Sequence, residues 1–248
     1  MKVKTILVSQ PEPQTENSPY FDLAAKQKVR IDFRPFIHVE GVEAADVRKQ
    51  KVNVASHTAV ILTSRNAVDH FFRIAEEVRF TVPNEMKYFC TSEAIAYYLQ
   101  KYVVYRKRKI YFGNNSIQDL VPQLKKHKDE KFLLPTSDLL KPDIPKTLKD
   151  AKIDYTRAIL YKTVSSDLSD LADVYYDVLV FFSPQGISSL LENFPDFAQN
   201  NTRIAAFGSS THKAIKDAGL RLDIKAPTPK FPSMTMALED YIKKVNKK

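Results

Sequence analysis

Ala59-Val60-Ile61-Leu62-Thr63-Ser64-Arg65-Asn66-Ala67-Val68-Asp69-His70-Phe71-Phe72 is a short apolar run, a serine and then an amphipathic segment. The same device returns at Val178-Leu179-Val180-Phe181-Phe182-Ser183-Pro184-Gln185-Gly186-Ile187-Ser188-Ser189-Leu190-Leu191, with Ser64 and Ser183 separated by 119 positions. A run of four or five apolar residues between polar ones suits a strand buried on both faces of a parallel sheet. The serine falls where that strand hands over to a helix, whose first backbone N–H groups lack partners and attract anions. A chain that builds this junction twice is expected to hold something large and negatively charged between two lobes.

Outward from these junctions the pattern alternates. Strand-like runs are expected at Thr5–Val8, Val29–Phe33, Ala59–Leu62, Met86–Phe89, Ile110–Phe112, Phe132–Leu134, Asp154–Leu160, Val178–Phe182, Ile204–Phe207 and Leu222–Ile224. Helical patterns fall between most of them, among others at Ala67–Val78, Ser92–Lys101, Ser116–His127, Pro142–Ala151, Ile187–Asn193, Ser210–Ala218 and Met234–Val245. Such alternation implies βαβ units and parallel sheets. Ser92 before Glu93, and Ser116 ahead of Asp119, read as N-caps with acids in the first turn, and Gly219 reads as a helix C-cap.

The duplication extends beyond the serines. Tyr88-Phe89-Cys90-Thr91-Ser92 aligns with Ala205-Ala206-Phe207-Gly208-Ser209, and Arg30-Ile31-Asp32-Phe33 echoes Lys152-Ile153-Asp154-Tyr155. Arg34–Val42 and Arg157–Ser166 both read as extended connectors. If both cross between lobes, the chain ends share one domain (1–37 with 166–248) and 38–165 forms the other. Two antiparallel strands would then make a hinge about which the lobes close.

Composition bounds the function. With 248 residues, 44% hydrophobic and 27% charged, the chain has room for two domains of ordinary size. The net charge of +9 favours acidic partners. Two clusters read as solvated: Lys243, Lys244, Lys247 and Lys248 as a tail, and Lys125, Lys126, Lys128 and Lys131 as a helix end and loop. The first residues turn polar by Gln10–Asn17, so no signal-peptide core is expected, and no apolar run is long enough to span a bilayer. The lone cysteine, Cys90, forbids an internal disulfide, is expected to be buried, and makes the cytoplasm the default compartment. The five histidines show no metal-ligand spacing, and His212 reads as a solvated helix residue. Neither a P-loop nor a G-x-G-x-x-G is present among five glycines. The stretch Tyr102–Lys109 interleaves aromatics with Arg106, Lys107, Arg108 and Lys109, which reads as a basic surface strand attracting an acidic substrate, or else as a surface for stacking single-stranded nucleic acid.

Six elements in order carry a family likeness: Val8-Ser9-Gln10-Pro11-Glu12; Leu62-Thr63-Ser64-Arg65-Asn66-Ala67-Val68; Leu133-Leu134-Pro135-Thr136-Ser137-Asp138; Ile159-Leu160-Tyr161-Lys162-Thr163-Val164; Phe182-Ser183-Pro184-Gln185-Gly186; and Ala206-Phe207-Gly208-Ser209-Ser210-Thr211. Together they resemble uroporphyrinogen-III synthases over essentially the whole chain. The sequence departs from that pattern at Gln10, Arg65, Thr91, Ala94 and Ser137, where arginine, proline, glycine, threonine and glycine respectively are common in the family.

The resemblance implies an α/β fold: two parallel-sheet domains (flavodoxin-like, HemD-like) joined by a two-stranded antiparallel linker, with the active site in the interdomain cleft. It implies a cyclising lyase that converts hydroxymethylbilane to uroporphyrinogen III with loss of water and inversion of the terminal ring. No metal or organic cofactor is expected. The partner would be that linear tetrapyrrole, with no nucleic acid and no membrane, and the protein a monomer. A substrate bearing many carboxylates can be held by helix N-termini, hydroxyls and cations at the carboxyl ends of strands. Thr63, Ser64, Thr136, Ser137, Ser183, Ser209, Ser210 and Thr211 fall at such ends, though each hydroxyl can equally be a simple N-cap. Ser9, Gln10, Arg65, Thr91, Ser92, Asp138, Gln185 and Gly186 complete the substrate-binding set that the likeness implies. Tyr161 is the expected catalytic residue, a phenol able to protonate a departing hydroxyl; the alternative is a tyrosine merely packed on the linker. Two other functions stay open: a two-lobed anion receptor without catalysis, and a nucleic-acid-binding protein with steeply salt-dependent affinity.

Overall fold

Eleven strands and nine α-helices alternate along residues 1–247, the residues that this computed structural model describes. Lys248, assigned above to the basic tail, lies outside them. In chain order they are Thr5–Val8 (β1), Pro19–Gln27 (α1), Arg30–Phe33 (β2), Ile37–Gly41 (β3), Ala44–Lys49 (α2), Ala59–Leu62 (β4), Arg65–Glu77 (α3), Lys87–Cys90 (β5), Glu93–Tyr98 (α4) and Ile110–Phe112 (β6). Next come Val121–Lys126 (α5), Phe132–Ser137 (β7), Asp143–Asp150 (α6), Tyr155–Ser165 (β8), Val178–Phe181 (β9), Pro184–Asn193 (α7), Arg203–Phe207 (β10), Ser209–Asp217 (α8), Ile224–Ala226 (β11) and Met234–Asn246 (α9). Neither α1 nor α2 is among the helices expected from the sequence. Each fully buries only one side chain, Leu23 or Val47, with Tyr20 or Ala44 partly buried beside it, so the apolar signal of both helices is weak. The basic stretch 102–109 is turn and irregular backbone, and strand pairing begins only at Ile110. This corrects the surface strand expected there.

The chain divides into two compact units, Met1–His38 with Val164–Lys248 and Val39–Thr163. In the first unit the sheet order is β11-β10-β9-β1-β2, every pairing parallel. Numbered by appearance in that unit, the order is 2-1-3-4-5, the flavodoxin-like winding. The second unit has β8-β7-β4-β5-β6 in parallel, with β3 added beside β8. Its β4-α3-β5-α4-β6 stretch corresponds to β9-α7-β10-α8-β11, and its β7-α6-β8 stretch to β1-α1-β2. The two sheets are thus the same winding cut at different points of the chain. Along β3 and β8, Val42 N–H donates to Leu160 O and Ser166 N–H donates to Phe36 O, so the pair runs antiparallel.

The core follows the period-2 rule on sheets covered on both sides. In the first unit Ile6, Val8, Val178 and Val180 face one apolar cluster, while Leu7, Leu179 and Phe181 face another. In the second, Val60 and Leu62 face one way, Ala59 and Ile61 the other.

Candidate functional site

In each unit two neighbouring strands send their following helices to opposite sides, leaving a crevice at their carboxyl ends, where ligands of open α/β sheets sit. In the second unit those strands are β4 and β7. Thr63 and Ser64 end β4, Thr136 and Ser137 end β7, and a cavity of about 420 Å³ opens over them, also lined by Thr91, Lys141 and Tyr161. That volume lies within the range of small-ligand pockets.

Tyr161 reaches this crevice through a bulge. β7 and β8 pair in one register up to Thr136 with Ile159, but Ser137 then faces Tyr161 rather than Leu160. Successive strand residues normally point to opposite faces; one inserted residue re-aims the side chains after it. Accordingly Ala158, Leu160 and Tyr161 all pack into the same core cluster. The bulge is held from outside: Gln50 accepts from Ile159 N–H and donates to Ile159 O, both at 2.9 Å. The Tyr161 Oη lies 3.1 Å from Ser64 Oγ, and its ring stacks on His70 at 5.1 Å between centroids and 17° between planes. Burial raises the phenol pKa, opposed by hydrogen bonding to Ser64 and to the Ser137 backbone.

Ser64 caps α3 in extended conformation, accepting from Ala67 N–H at 3.0 Å. Ser183 caps α7 in the same way, accepting from Gly186 N–H at 3.2 Å. The Ser64 Oγ thus caps the helix, as one of the two readings expected, and the same atom faces the Tyr161 hydroxyl at the cavity. Ser64→Ala is expected to lower stability by about 1 kcal/mol, the usual cost of a lost N-cap, while freeing the Tyr161 hydroxyl; urea melts check the first effect.

The other predicted residues divide. Thr91 is nearly buried, and its carbonyl accepts from Asn115 N–H at 2.8 Å. Ser92 caps α4 through Ile95 N–H. Thr136 accepts from Arg157 Nε at 3.0 Å, and Arg157 also donates to the carbonyls of Ser137 and Asp138, so that arginine shapes the crevice rim. The exposed Arg65 lies over the Tyr98 ring at 5.3 Å. In the first unit the corresponding crevice lies between β1 and β9. There Ser9 Oγ and Ser183 Oγ converge, 3.8 and 3.7 Å from where a Cβ on Gly186 would stand. Gln10 is exposed beyond β1, Gln185 is half-buried in the first turn of α7, and Ser209 and Ser210 open α8 on the surface.

Thr211 departs from the expected site: it is 1% exposed, its Oγ1 turned into the protein with no partner among the described residues. His212 is half-buried rather than solvated, its Nε2–H shared between Ala206 O at 2.9 Å and Ala226 O at 3.1 Å, tying the ends of β10 and β11. No group of three or more potential metal ligands occurs among the described residues. Cys90 is fully buried, and burial pushes its thiol up to about 12. It is expected to ignore thiol reagents in the native protein and to react on unfolding in denaturant; rapid labelling without denaturant would contradict that burial.

His70, Arg73 and Gln50 went unseen in the sequence. A faint signal existed for the first two: they sit at i and i+3 beside the buried stripe Ala67, Phe71 and Ile74 of α3. Burial, then the charge of Arg73, lowers the His70 pKa, while Asp69 and Glu77 oppose. A histidine whose folded pKa is depressed binds fewer protons than in the unfolded chain, so its contribution to stability falls as pH drops below about 6.5. His70→Phe is expected to flatten that part of the stability–pH curve.

Comparison with known proteins follows the same outline. A region of 151 residues is 27% identical to uroporphyrinogen-III synthase of Saccharomyces cerevisiae, covering 52% of this chain and 54% of the yeast protein, so the chain aligns with about half the length of that relative. Among solved structures, uroporphyrinogen-III synthetase from Helicobacter pylori matches with TM-score 0.60 and 17% identity, over 97% of this chain and 99% of that one. A mutant uroporphyrinogen III synthase from Thermus thermophilus matches with TM-score 0.53 and 13% identity, over 99% of this chain and 100% of that one. At such identities the two structures speak for the fold. Residues 21–236 match the family described as Uroporphyrinogen-III synthase HemD, and the chain belongs to that family.

Proposed function

We propose that this protein is a uroporphyrinogen-III synthase, a cofactor-free cyclising lyase that takes hydroxymethylbilane to uroporphyrinogen III with loss of water and inversion of the terminal ring. One observation carries the reading: a bulge aims the Tyr161 phenol at Ser64, at the strand-order reversal of the second unit, over a cavity rimmed by hydroxyls. The phenol is protonated at neutral pH, so it can donate to the substrate's departing hydroxyl, which leaves as water. Ser64 Oγ already accepts from Ala67 N–H, so its own proton is available to the phenolate that remains. An electron-rich pyrrole expels that hydroxyl readily, and much of the rate would come from holding both ends of the chain in a closed shape. Helix starts at Ser64, Ser92, Ser183 and Ser209 supply backbone N–H groups suited to carboxylates. On this reading the protein works as a monomer in the cytoplasm, with which its unpaired Cys90 is compatible.

Freshly prepared hydroxymethylbilane tests the proposal. The protein should yield the type III isomer; formation of the type I ring alone, at the uncatalysed rate, would leave a receptor without catalysis.

A further inference from the structure

The Tyr161 phenol is held by more than Ser64. Its ring lies flat on the His70 imidazole. His70 Nδ1 accepts from Arg73 Nε at 3.1 Å. Because a guanidinium can only donate, that ring nitrogen bears the lone pair, and the imidazole is neutral with its proton on Nε2. The other edges of the guanidinium are engaged too. Nη2 donates to Leu160 O at 3.0 Å and to Val42 O at 2.8 Å, and Nη1 pairs with Glu77. Leu160 is the extra residue of the bulge that turns Tyr161 toward the crevice. One arginine thus grips both the ring beneath the phenol and the carbonyl immediately before it. Gly41 leaves room for this: a Cβ there would stand 2.7 Å from Arg73 Cζ.

We propose that Arg73 and His70 are positioning residues for Tyr161, Arg73 fixing the bulge and the imidazole tautomer, and the imidazole face fixing the plane of the phenol. The proposal rests on Tyr161 being the acid of the reaction proposed above, but its geometry can be read without turnover. A neutral imidazole under the ring also leaves the phenol its proton, whereas an imidazolium would favour the phenolate.

The test has two arms. In the first, nitrogen-15 NMR of the histidine side chains, assigned through His70→Phe, reports the tautomer, and carbon-13 labelled tyrosine, assigned through Tyr161→Phe, reports the phenol. His70 should be the Nε2–H form, and Arg73→Met should change that signal and shift the Tyr161 resonance. Gly41→Ala, which displaces the guanidinium without deleting any member of the set, should do the same if Arg73→Met folds poorly. An Nδ1–H tautomer, or a Tyr161 resonance unmoved by Gly41→Ala, overturns the proposal whether or not the protein is a synthase. In the second arm, Arg73→Met is expected to lower kcat about tenfold with KM little changed, the scale of a small misplacement of a reacting group. The same change in a Tyr161→Phe background should cost little more, and His70→Phe, which keeps a flat ring, should recover most of what His70→Ala loses. Additive losses, or equal losses for the two His70 variants, overturn it; absence of turnover in the wild type instead fails the functional reading and leaves the first arm standing.

Discussion

Tyr161→Phe is expected to slow formation of the type III ring by about 10- to 100-fold, the contribution usual for a placed proton donor. The substitution removes one oxygen and leaves the stacked ring, so folding should be preserved. The phenylalanine keeps its contact with His70 and its place in the core cluster that includes Leu160. What goes is the 3.1 Å contact with Ser64 and the proton held there by a pKa raised through burial. KM should change less than kcat, because the carboxylates would be held by other groups. Stopped assays separating type III from type I product measure the effect. An unchanged rate would reduce Tyr161 to packing and shift the catalytic burden to closure of the substrate chain alone.

The parallel α/β character was legible because strands buried on both faces leave unbroken apolar runs, such as Ala59–Leu62 and Val178–Phe181, and serine caps mark the helices after them. Registers within the duplication were less legible. Sequence likeness sets Arg30-Ile31-Asp32-Phe33 against Lys152-Ile153-Asp154-Tyr155, yet the structural equivalents are Lys28 and Lys152. Both adopt φ 54°, and the next residues, Val29 and Ile153, send their N–H back to Ala24 and Leu148. Similar letters two positions away outweighed a helix ending that any residue tolerant of the left-handed region can make. Ser92 and Gly208 likewise occupy the same cap position, one step from the register that sequence similarity suggests.

The geometry of the candidate site was legible where it depends on capping and illegible where it depends on pairing. Ser64 and Ser183 announce themselves before amphipathic segments. The bulge at Leu160 does not, because an inserted residue in a strand leaves no compositional mark when Ile159, Leu160 and Tyr161 are all apolar or aromatic. Alternation alone would have put Leu160 and Tyr161 on opposite faces. Nor could Gln50, Arg73 or His70 be assigned to Tyr161, since their partners lie 109, 87 and 91 positions away along the chain. The hydroxyl of Thr211 failed for a related reason: its motif marks a helix start, but its side chain turns inward rather than to the crevice.

Asp177→Ala is expected to cost about 2 kcal/mol of stability, from loss of a buried carboxylate that accepts from two backbone N–H groups. Asp177 is 8% exposed and precedes β9 at the amino end of the first sheet. Its Oδ2 accepts from Lys4 N–H at 2.7 Å, Thr5 N–H at 3.0 Å and Thr5 Oγ1 at 3.3 Å, while its own N–H donates to Thr5 Oγ1 at 3.1 Å. Two backbone donors at the start of the interior strand β1 would lose their acceptor. Asp177→Asn should lose less, because an amide oxygen can still accept from both. Urea unfolding of the three proteins gives the comparison, and equal midpoints for wild type and Asp177→Ala would refute it. Since the crevice of this sheet opens at the opposite, carboxyl ends of the strands, isomer formation at a temperature where the variant is folded should match the wild type. A loss of stability with intact turnover would separate the residues that hold the sheet together from those that do chemistry at its other end.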